Sequence, residues 1–472
     1  MIISCHKNIT QLYLLTQTFK KMKKLLTLLG ILSLLACKRE SNTLAPPMGW
    51  NSYDCYGYGV NEQQVRANAE YMAAHLKAFG WDYVVVDFLW SLPDIGPAHD
   101  SRQMYQDSHY LPKLQMDGYG RLFPDTARFP SSAKGKGFKP LADYIHSLGL
   151  KFGIHLMRGV PRQAVAAILP VMHTAFNASG IADVADTCNW MNHMFGVDMS
   201  KPGAQEYYNS LFNLYASWGV DFVKIDDLSN PYHSQEIEGY RKAIDQCGRA
   251  ILFSTSPGEA PLSEAAHISA QANMWRLLGD LWDDWKALDH AFDVLPDWSK
   301  SRSSGHWPDP DMLPLGHLSK YGPVGPERNC KLTPDEQLSL MNLWCITGSP
   351  LMFGGNLTEI DSFTLSLLTN RDAIRLDQQG NQYRQLCGGN YPIWTAEGNS
   401  PKTRYLAFFN RDSLPAAVNF PLDSLRYNNS SITEIWTGTA AAVFSGKLRI
   451  ELRPHASMIF IIKGDEPEHS AQ

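Results

Sequence analysis

The feature that most constrains this chain is a repeated alternation between amphipathic helical patterns and short, continuously apolar runs. Residues 61–79, NEQQVRANAEYMAAHLKAF, put Val65, Ala69, Met72, Leu76 and Phe79 on one helical face. Asn61 can cap that helix and Gly80 can end it. DYVVVDF follows at 82–88. A helical pattern near 139–148 ends at Gly149 and gives way to LKFGIHL, 150–156. Pro202 opens a pattern with Tyr208, Leu211, Tyr215 and Trp218 on one face; Gly219 stops it and DFVKID follows. AILFSTS, 250–256, is a further apolar run, and Thr333, Pro334 and Glu336 form a capping box heading a helix to about Cys345. Runs that stay apolar on both faces belong in a parallel sheet covered by helices. Roughly 330 residues of this alternation fit a (β/α)₈ barrel. A doubly wound sheet is the rival, but no glycine-rich phosphate loop follows the first strand.

From about residue 385 the pattern changes. YPIWTAEG, TRYLAFFNR, AAVNFPL, ITEIWTG, KLRIELRP and SMIFIIKG are short alternating runs joined by turn residues, the mark of an antiparallel β domain. The expected organisation is a barrel over 44–380 and a β-sandwich over 385–465. The N-terminus reads as a targeting segment. KKMKK at 20–24 precedes LLTLLGILSLLAC, too short to span a bilayer but suited to a signal sequence. Leu34 to Cys37 resembles the bacterial lipobox, which implies cleavage before Cys37 and lipid on its sulfur; MKKLL makes Met22 the expected start. The expected location is that of an exported bacterial lipoprotein, periplasmic or at the cell surface, touching membrane only through that anchor. Removing residues 1–36 deletes five lysines and no acids, so 42 minus 5 basic against 47 acidic residues leaves −10. Such a chain is a poor partner for nucleic acid. Six cysteines remain beyond Cys37, none spaced as CxxC, which disfavours a zinc knuckle; export permits disulfides whose pairing spacing cannot assign.

In a barrel, residues at the C-terminal ends of strands point into the site. Asp87, His155, Lys224 with Asp226, and Ser254 with Ser256 end four of the expected strands. Alternation puts Lys224 and Asp226 on one face, where the lysine would keep the carboxylate ionised. An ionised, positioned carboxylate is a nucleophile or a base. Glycosidic chemistry needs a second acid. NMWRLLGDLWDDW, 273–285, offers Asp280, Asp283 and Asp284, with Arg276 four residues before Asp280. On spacing alone that segment also reads as a helix start with acids in its first turn.

Several motifs then occur in order: PPMGWNSYD (46–54), YVVVDFLW (83–90), GRLFPDTARFP (120–130), KFGIH (151–155), WGVDFVKID (218–226), WR and GD within 275–280, WPDPDML (307–313) and LWCITGSPLMFGGNL (343–357). Together they resemble glycoside hydrolase family 27, the α-galactosidase or melibiase family, over residues 44–465. The resemblance implies a (β/α)₈ barrel with a C-terminal β-sandwich, no cofactor or metal, an oligosaccharide or polysaccharide substrate, and retaining hydrolysis by two aspartates. Asp226 matches the nucleophile and Asp280 the acid/base. Lys224 and Arg276 match sugar-binding residues, and Asp87 the first of two adjacent aspartates that hold galactose O4 and O6. Tyr53 stands where the family has a tryptophan under the sugar, and His155 where it often has tyrosine. Asp309 and Asp311 match a supporting motif.

Two departures bear on the sugar. The family usually reads Asp-Asp-Cys-Trp where this chain has Asp87-Phe88-Leu89-Trp90, so Phe88 replaces the second hydroxyl-binding acid. The loop usually written S-x-E-W-P is STSPGEA, 254–260; it keeps Ser256 as a candidate sugar contact, and its glutamate is displaced to Glu259. An insertion near 159–200, with Cys188 and Trp190, remodels the rim. This resembles the branch holding isomaltodextranase-like proteins and plant enzymes that act on β-L-arabinopyranosides as well as α-galactosides. The leading expectation is a retaining exo-glycosidase for terminal α-D-galactosyl residues. The alternatives are a β-L-arabinopyranosidase or isomaltodextranase-like α-glucan hydrolase, and more distantly a sugar-binding protein, which the presence of both acids disfavours.

Overall fold

The computed structural model describes residues 45–93, 113–321, 324–422 and 431–464. The expected signal segment, with Cys37, lies outside them. Eight parallel strands form one sheet: β1 (Met48–Asn51), β2 (Tyr83–Val86), β3 (Lys151–Met157), β4 (Phe222–Asp226), β5 (Leu252–Thr255), β6 (Met274–Arg276), β7 (Trp307–Asp309) and β8 (Leu351–Phe353). Neighbours follow sequence order, with β8 beside β1. Just beyond β7, Leu313 makes a parallel bridge to Phe353 and its N–H donates to Met352 O at 2.7 Å, which closes the ring. The crossovers are helical: α1 (Glu62–His75), α2 (Lys139–Ser147), α3 (Ala204–Trp218), α4 (Ser234–Gln246), α5 (Ala265–Gln271), α6 (Trp285–Trp298) and α7 (Pro334–Thr347), with α8 (Arg371–Gln379) after β8. This is the expected (β/α)₈ barrel.

Local signals behave as their chemistry requires. Both capping boxes form, Asn61 with Gln64 and Thr333 with Glu336. Gly219 ends α3 in the left-handed conformation, φ 85°, which an L side chain adopts at a cost. Some readings need correction. The pattern over 61–79 is an α-helix only to His75, followed by a separate 3₁₀ turn. Pro202 precedes α3 rather than opening it, because Gly203 turns the chain first. Residues 273–285 are not a helix start. Met274–Arg276 is β6, a loop carries Asp280 and Asp283, and Asp284 caps α6 by accepting the Lys286 N–H at 2.8 Å. The six cysteines of the described residues are all free.

The strands alternate between two cores. Val84, Val86, Val223, Ile225, Phe253 and Trp275 face the helices in the large core. Val85, Phe222, Met274, Trp307 and Met352, with Tyr83 and Leu252 against them, plug the barrel interior. Gly153 makes room for that plug, since a Cβ there would come 3.0 Å from Phe222 and Val85. Past residue 380 the strands Asn381–Cys387, Ile393–Glu397, Thr403–Phe409, Ser457–Lys463 and Ser431–Glu434 form one antiparallel sheet. Ala416–Pro421, Lys447–Leu452 and Val443–Phe444 form a second. Leu406, Phe408, Phe420, Ile450 and Phe460 fill the space between. The sandwich is tied to α7 by Ser339 Oγ donating to His455 O (2.6 Å) and Asn342 Nδ2 donating to Ser457 Oγ (2.8 Å). No helix among the described residues is long and apolar enough to cross a membrane.

Candidate active site

The period-two alternation that fills the barrel also builds the site. On six of the eight strands, β2 to β7, the residue two places beyond an interior plug residue faces the barrel mouth. Val85 is followed by Asp87, Gly153 by His155, Phe222 by Lys224 and then Asp226, Met274 by Arg276, and Trp307 by Asp309. Leu252 leads in the same way to Ser254 on β5 and Ser256 just past its end. Lys224 and Asp226, on β4, belong to this polar layer above an apolar plug. Asp227 is the exception, turned away to meet Arg158.

Asp226 is held at both oxygens. Oδ1 accepts from Ser256 Oγ at 2.9 Å and from the Asp227 N–H at 3.1 Å; Oδ2 lies 3.2 Å from His155 Nε2. Burial alone would raise its pKa. The hydrogen bond and charge of His155, then Lys224 and Ser256, outweigh burial and hold it below the ordinary carboxylate value. Lys224 acts on Asp226 in the expected direction but is not the main cause. Its ammonium is paired with Asp87 Oδ2 at 3.1 Å, and its effect on Asp226 ranks after that of His155. Asp87 is fully enclosed, with Oδ2 also accepting from Asn51 Nδ2 at 2.6 Å and Oδ1 from the Phe88 N–H at 2.8 Å. Burial pushes its carboxyl up, but Lys224, His155 and these two hydrogen bonds bring it down to about 2.

Asp280 sits on the loop after β6 with its side chain 59% exposed. Arg276, fully buried, braces that loop. It donates to Leu278 O and Gly279 O and stands 3.2 Å from Asp280 Oδ1, while its other nitrogen pairs with Asp311 Oδ1 at 2.7 Å. Asp311 Oδ2 in turn accepts the Leu281 N–H at 2.7 Å. Burial would lower the Arg276 pKa; Asp311, Asp280 and Asp309 more than offset it, so the guanidinium stays charged. Asp309 and Asp311 are buried behind the site, and Asp309 Oδ1 accepts the Asp311 N–H at 3.0 Å.

A cavity of about 340 Å³ opens here, lined by Tyr53, Asp87, Phe88, Trp190, Lys224, Asp226, Pro257 and Asp280. It lies near the lower end of small-molecule sites, roughly 300–1,000 Å³. A larger cleft, about 780 Å³, runs over Asn61, Glu62, Arg66, Arg128 and Tyr321. Its lining includes no barrel-strand residue, and Glu62 and Arg66 pair with each other at 2.7 Å. The structure therefore brings both candidate acids, Tyr53, Asp87, Phe88 and Lys224 to one cavity. His155, Ser256 and Arg276, also read as sugar contacts, stand behind its wall and touch the two acids instead. Glu259 is away from the lining, 3.0 Å from His290 Nε2. Asn51 and Pro257 had no assigned role, although both fall within quoted motifs. The sequence marks Trp190 only as part of the insertion. Phe88, 3% exposed, meets His155 edge-on at 5.2 Å, Tyr53 at 6.3 Å and Trp190 at 5.9 Å.

Two carboxylates on one cavity at the C-terminal face of a (β/α)₈ barrel, one held ionised and one reaching solvent, are the working parts of a glycosidase. The comparisons agree. Residues 193–379 match the family profile described as Melibiase_2: Alpha galactosidase A. The chain is 45% identical to a family 27 β-L-arabinopyranosidase from Geobacillus stearothermophilus, covering 91% of this chain and 98% of that one with a TM-score of 0.84. A variant of that enzyme, with one aspartate replaced by alanine, was crystallised with arabinose. Alpha-galactosidase 2 of Arabidopsis thaliana is 26% identical over 432 residues, 89% of each chain. The chain belongs to glycoside hydrolase family 27.

Proposed function

We propose that this enzyme is a retaining exo-glycosidase whose preferred sugar is β-L-arabinopyranose, with α-D-galactose as its second substrate. Asp226 attacks the anomeric carbon while Asp280 delivers a proton to the departing glycosidic oxygen. Asp280 then takes a proton from water, which attacks C1 on the face the aglycone left and displaces Asp226 from the opposite face, so the anomeric configuration is retained overall. The ionised state of Asp226 and the solvent exposure of Asp280 suit those two roles. Lys224 and Asp87 present a fixed cation and anion to sugar hydroxyls on the cavity wall.

The observation that carries the choice of sugar is Phe88. It stands beside Asp87 where the family's second hydroxyl-binding acid is expected, and its ring forms one apolar wall with Trp190. A hydroxyl pressed there finds no acceptor on the ring and loses about 1–3 kcal/mol. β-L-Arabinopyranose is α-D-galactopyranose without the exocyclic CH₂OH, so it loses nothing at that wall. The 45% identity to an enzyme named for that sugar supports the same reading. The α-galactoside is kept as second substrate because Asp87 remains and relatives such as the Arabidopsis protein are named α-galactosidases. The test is a panel of p-nitrophenyl glycosides: β-L-arabinopyranose, α-D-galactose, α-D-glucose and N-acetyl-α-D-galactosamine. The arabinoside should give the highest kcat/KM and the galactoside the next. A galactoside rate above the arabinoside rate would overturn the order, and inactivity on all four would overturn the assignment. From residues 20–37 alone we further propose export and lipid anchoring at Cys37.

A further inference from the structure

Behind Asp226 lies a buried charge cluster that the double displacement does not use. Arg158, 2% exposed, follows β3 directly. Its backbone N–H donates to Asp226 O at 3.0 Å. Its Nε donates to Asp227 O at 2.8 Å, and Nη2 donates to Asp227 Oδ2 at 2.8 Å. The rest of the fork reaches the rim and α4. Nη1 and Nη2 grip the two oxygens of Asp186 at 2.7 and 2.9 Å, and Nη1 also donates to Glu236. Glu236 accepts the Val197 N–H at 3.2 Å and the Tyr208 hydroxyl. Asp186, His233 and Glu236 come close enough together to suggest a cation site, but the guanidinium already serves two of the three.

Asp227 has φ 63°, a left-handed conformation that a non-glycine residue keeps only when its surroundings hold it. Arg158 supplies that hold, gripping both the carbonyl and the carboxylate of the residue. The same turn aims the Asp227 N–H at Asp226 Oδ1. A lysine could not do this, because one ammonium cannot span the carbonyl and three carboxylates in fixed directions. We propose that Arg158 is a positioning residue for Asp226, acting through Asp227: it locks the turn that fixes the nucleophile's carboxylate for attack. The inference rests on the assignment of Asp226 as nucleophile.

The probe is 2-deoxy-2-fluoro-β-L-arabinopyranosyl fluoride. The C1–F bond breaks, fluoride leaves with the electron pair, and an Asp226 oxygen bonds to C1; no proton from Asp280 is needed. Arg158→Ala should lower the limiting inactivation rate about 10- to 100-fold while the probe's dissociation constant stays within about threefold. Arg158→Lys should fall between it and the wild type. Asp227→Ala, which leaves the other partners of Arg158 in place, should show the same split and serves if Arg158→Ala does not fold. Peptide mapping locates the label. A folded Arg158→Ala or Asp227→Ala labelled at the wild-type rate would overturn the inference alone, leaving Arg158 as scaffold. A wild-type label on a residue other than Asp226 would overturn the nucleophile assignment and the inference with it.

Discussion

Replacing Phe88 by aspartate tests the sugar preference most directly, because most of its side effects cancel. The new carboxyl would stand next to Asp87, whose charge Lys224 already matches. At about 6 Å and an effective dielectric near 20, repulsion between two carboxylates is ~3 kcal/mol, so the new acid pays for its ionisation or stays protonated. Loss of the ring also removes its edge contacts with His155, Tyr53 and Trp190. Both penalties fall on the enzyme whichever sugar it meets. They lower the two kcat/KM values together and drop out of the ratio. What survives is the hydrogen bond to the CH₂OH that only galactose carries, ~0.5–1.5 kcal/mol if the acid is neutral and ~1.5–3 if charged. Taking ~1.4 kcal/mol, the galactoside-to-arabinoside ratio of kcat/KM should rise about tenfold. Phe88→Ala is the control, since it opens the same wall without supplying an acceptor. The assay is initial rates on the two p-nitrophenyl glycosides. An unchanged ratio in folded Phe88→Asp would make Phe88 mere packing, and an equal shift in both variants would make the discrimination steric.

Asp226→Ala should lower turnover at least about 10⁴-fold, since no other group forms the glycosyl ester, and external azide should partly restore cleavage as the glycosyl azide of inverted configuration. Asp280→Ala should slow substrates with poor leaving groups far more than activated aryl glycosides; equal slowing would refute its acid role. Because the folded pKa of Asp87 is about 2 against an ordinary 3.8, its contribution to stability is present above 3.8 and lost as pH falls toward 2. At 1.36 kcal/mol per unit that contribution is ~2 kcal/mol, so urea unfolding of Asp87→Asn should lose ~2 kcal/mol less than wild type between about pH 5 and pH 2. An identical pH dependence would refute the pairing. Cys37→Ser should move the protein from the membrane to the soluble exported fraction, and a wild-type protein already soluble after gentle lysis would refute the anchor.

The barrel was legible because its signals are local and repeat. An apolar run, a glycine stop or a capping box each acts over a few residues, and α1 and α7 keep the capping boxes their sequences spell out. Their place at the ends of expected strands also made Asp87, His155, Lys224 and Asp226 legible as a group. Chemistry set by distance across strands was not legible. Spacing put Lys224 beside Asp226, but its ammonium pairs with Asp87 just after β2, and it is His155 on β3 that contacts the nucleophile's Oδ2. Arg276 was read four residues ahead of Asp280, whereas its shorter contact is to Asp311 beyond β7. Arg158 follows β3 and gave no periodic signal, since its partners come from residues 186, 227 and 236. Each missed contact joins groups on different strands or loops, where neither period nor spacing carries information. Asp226 stands at a strand end, which sequence reveals, and Asp280 on the loop that follows another. The proposed sugar preference turns on Phe88, whose ring meets Trp190 at 5.9 Å, a contact between residues far apart in the chain.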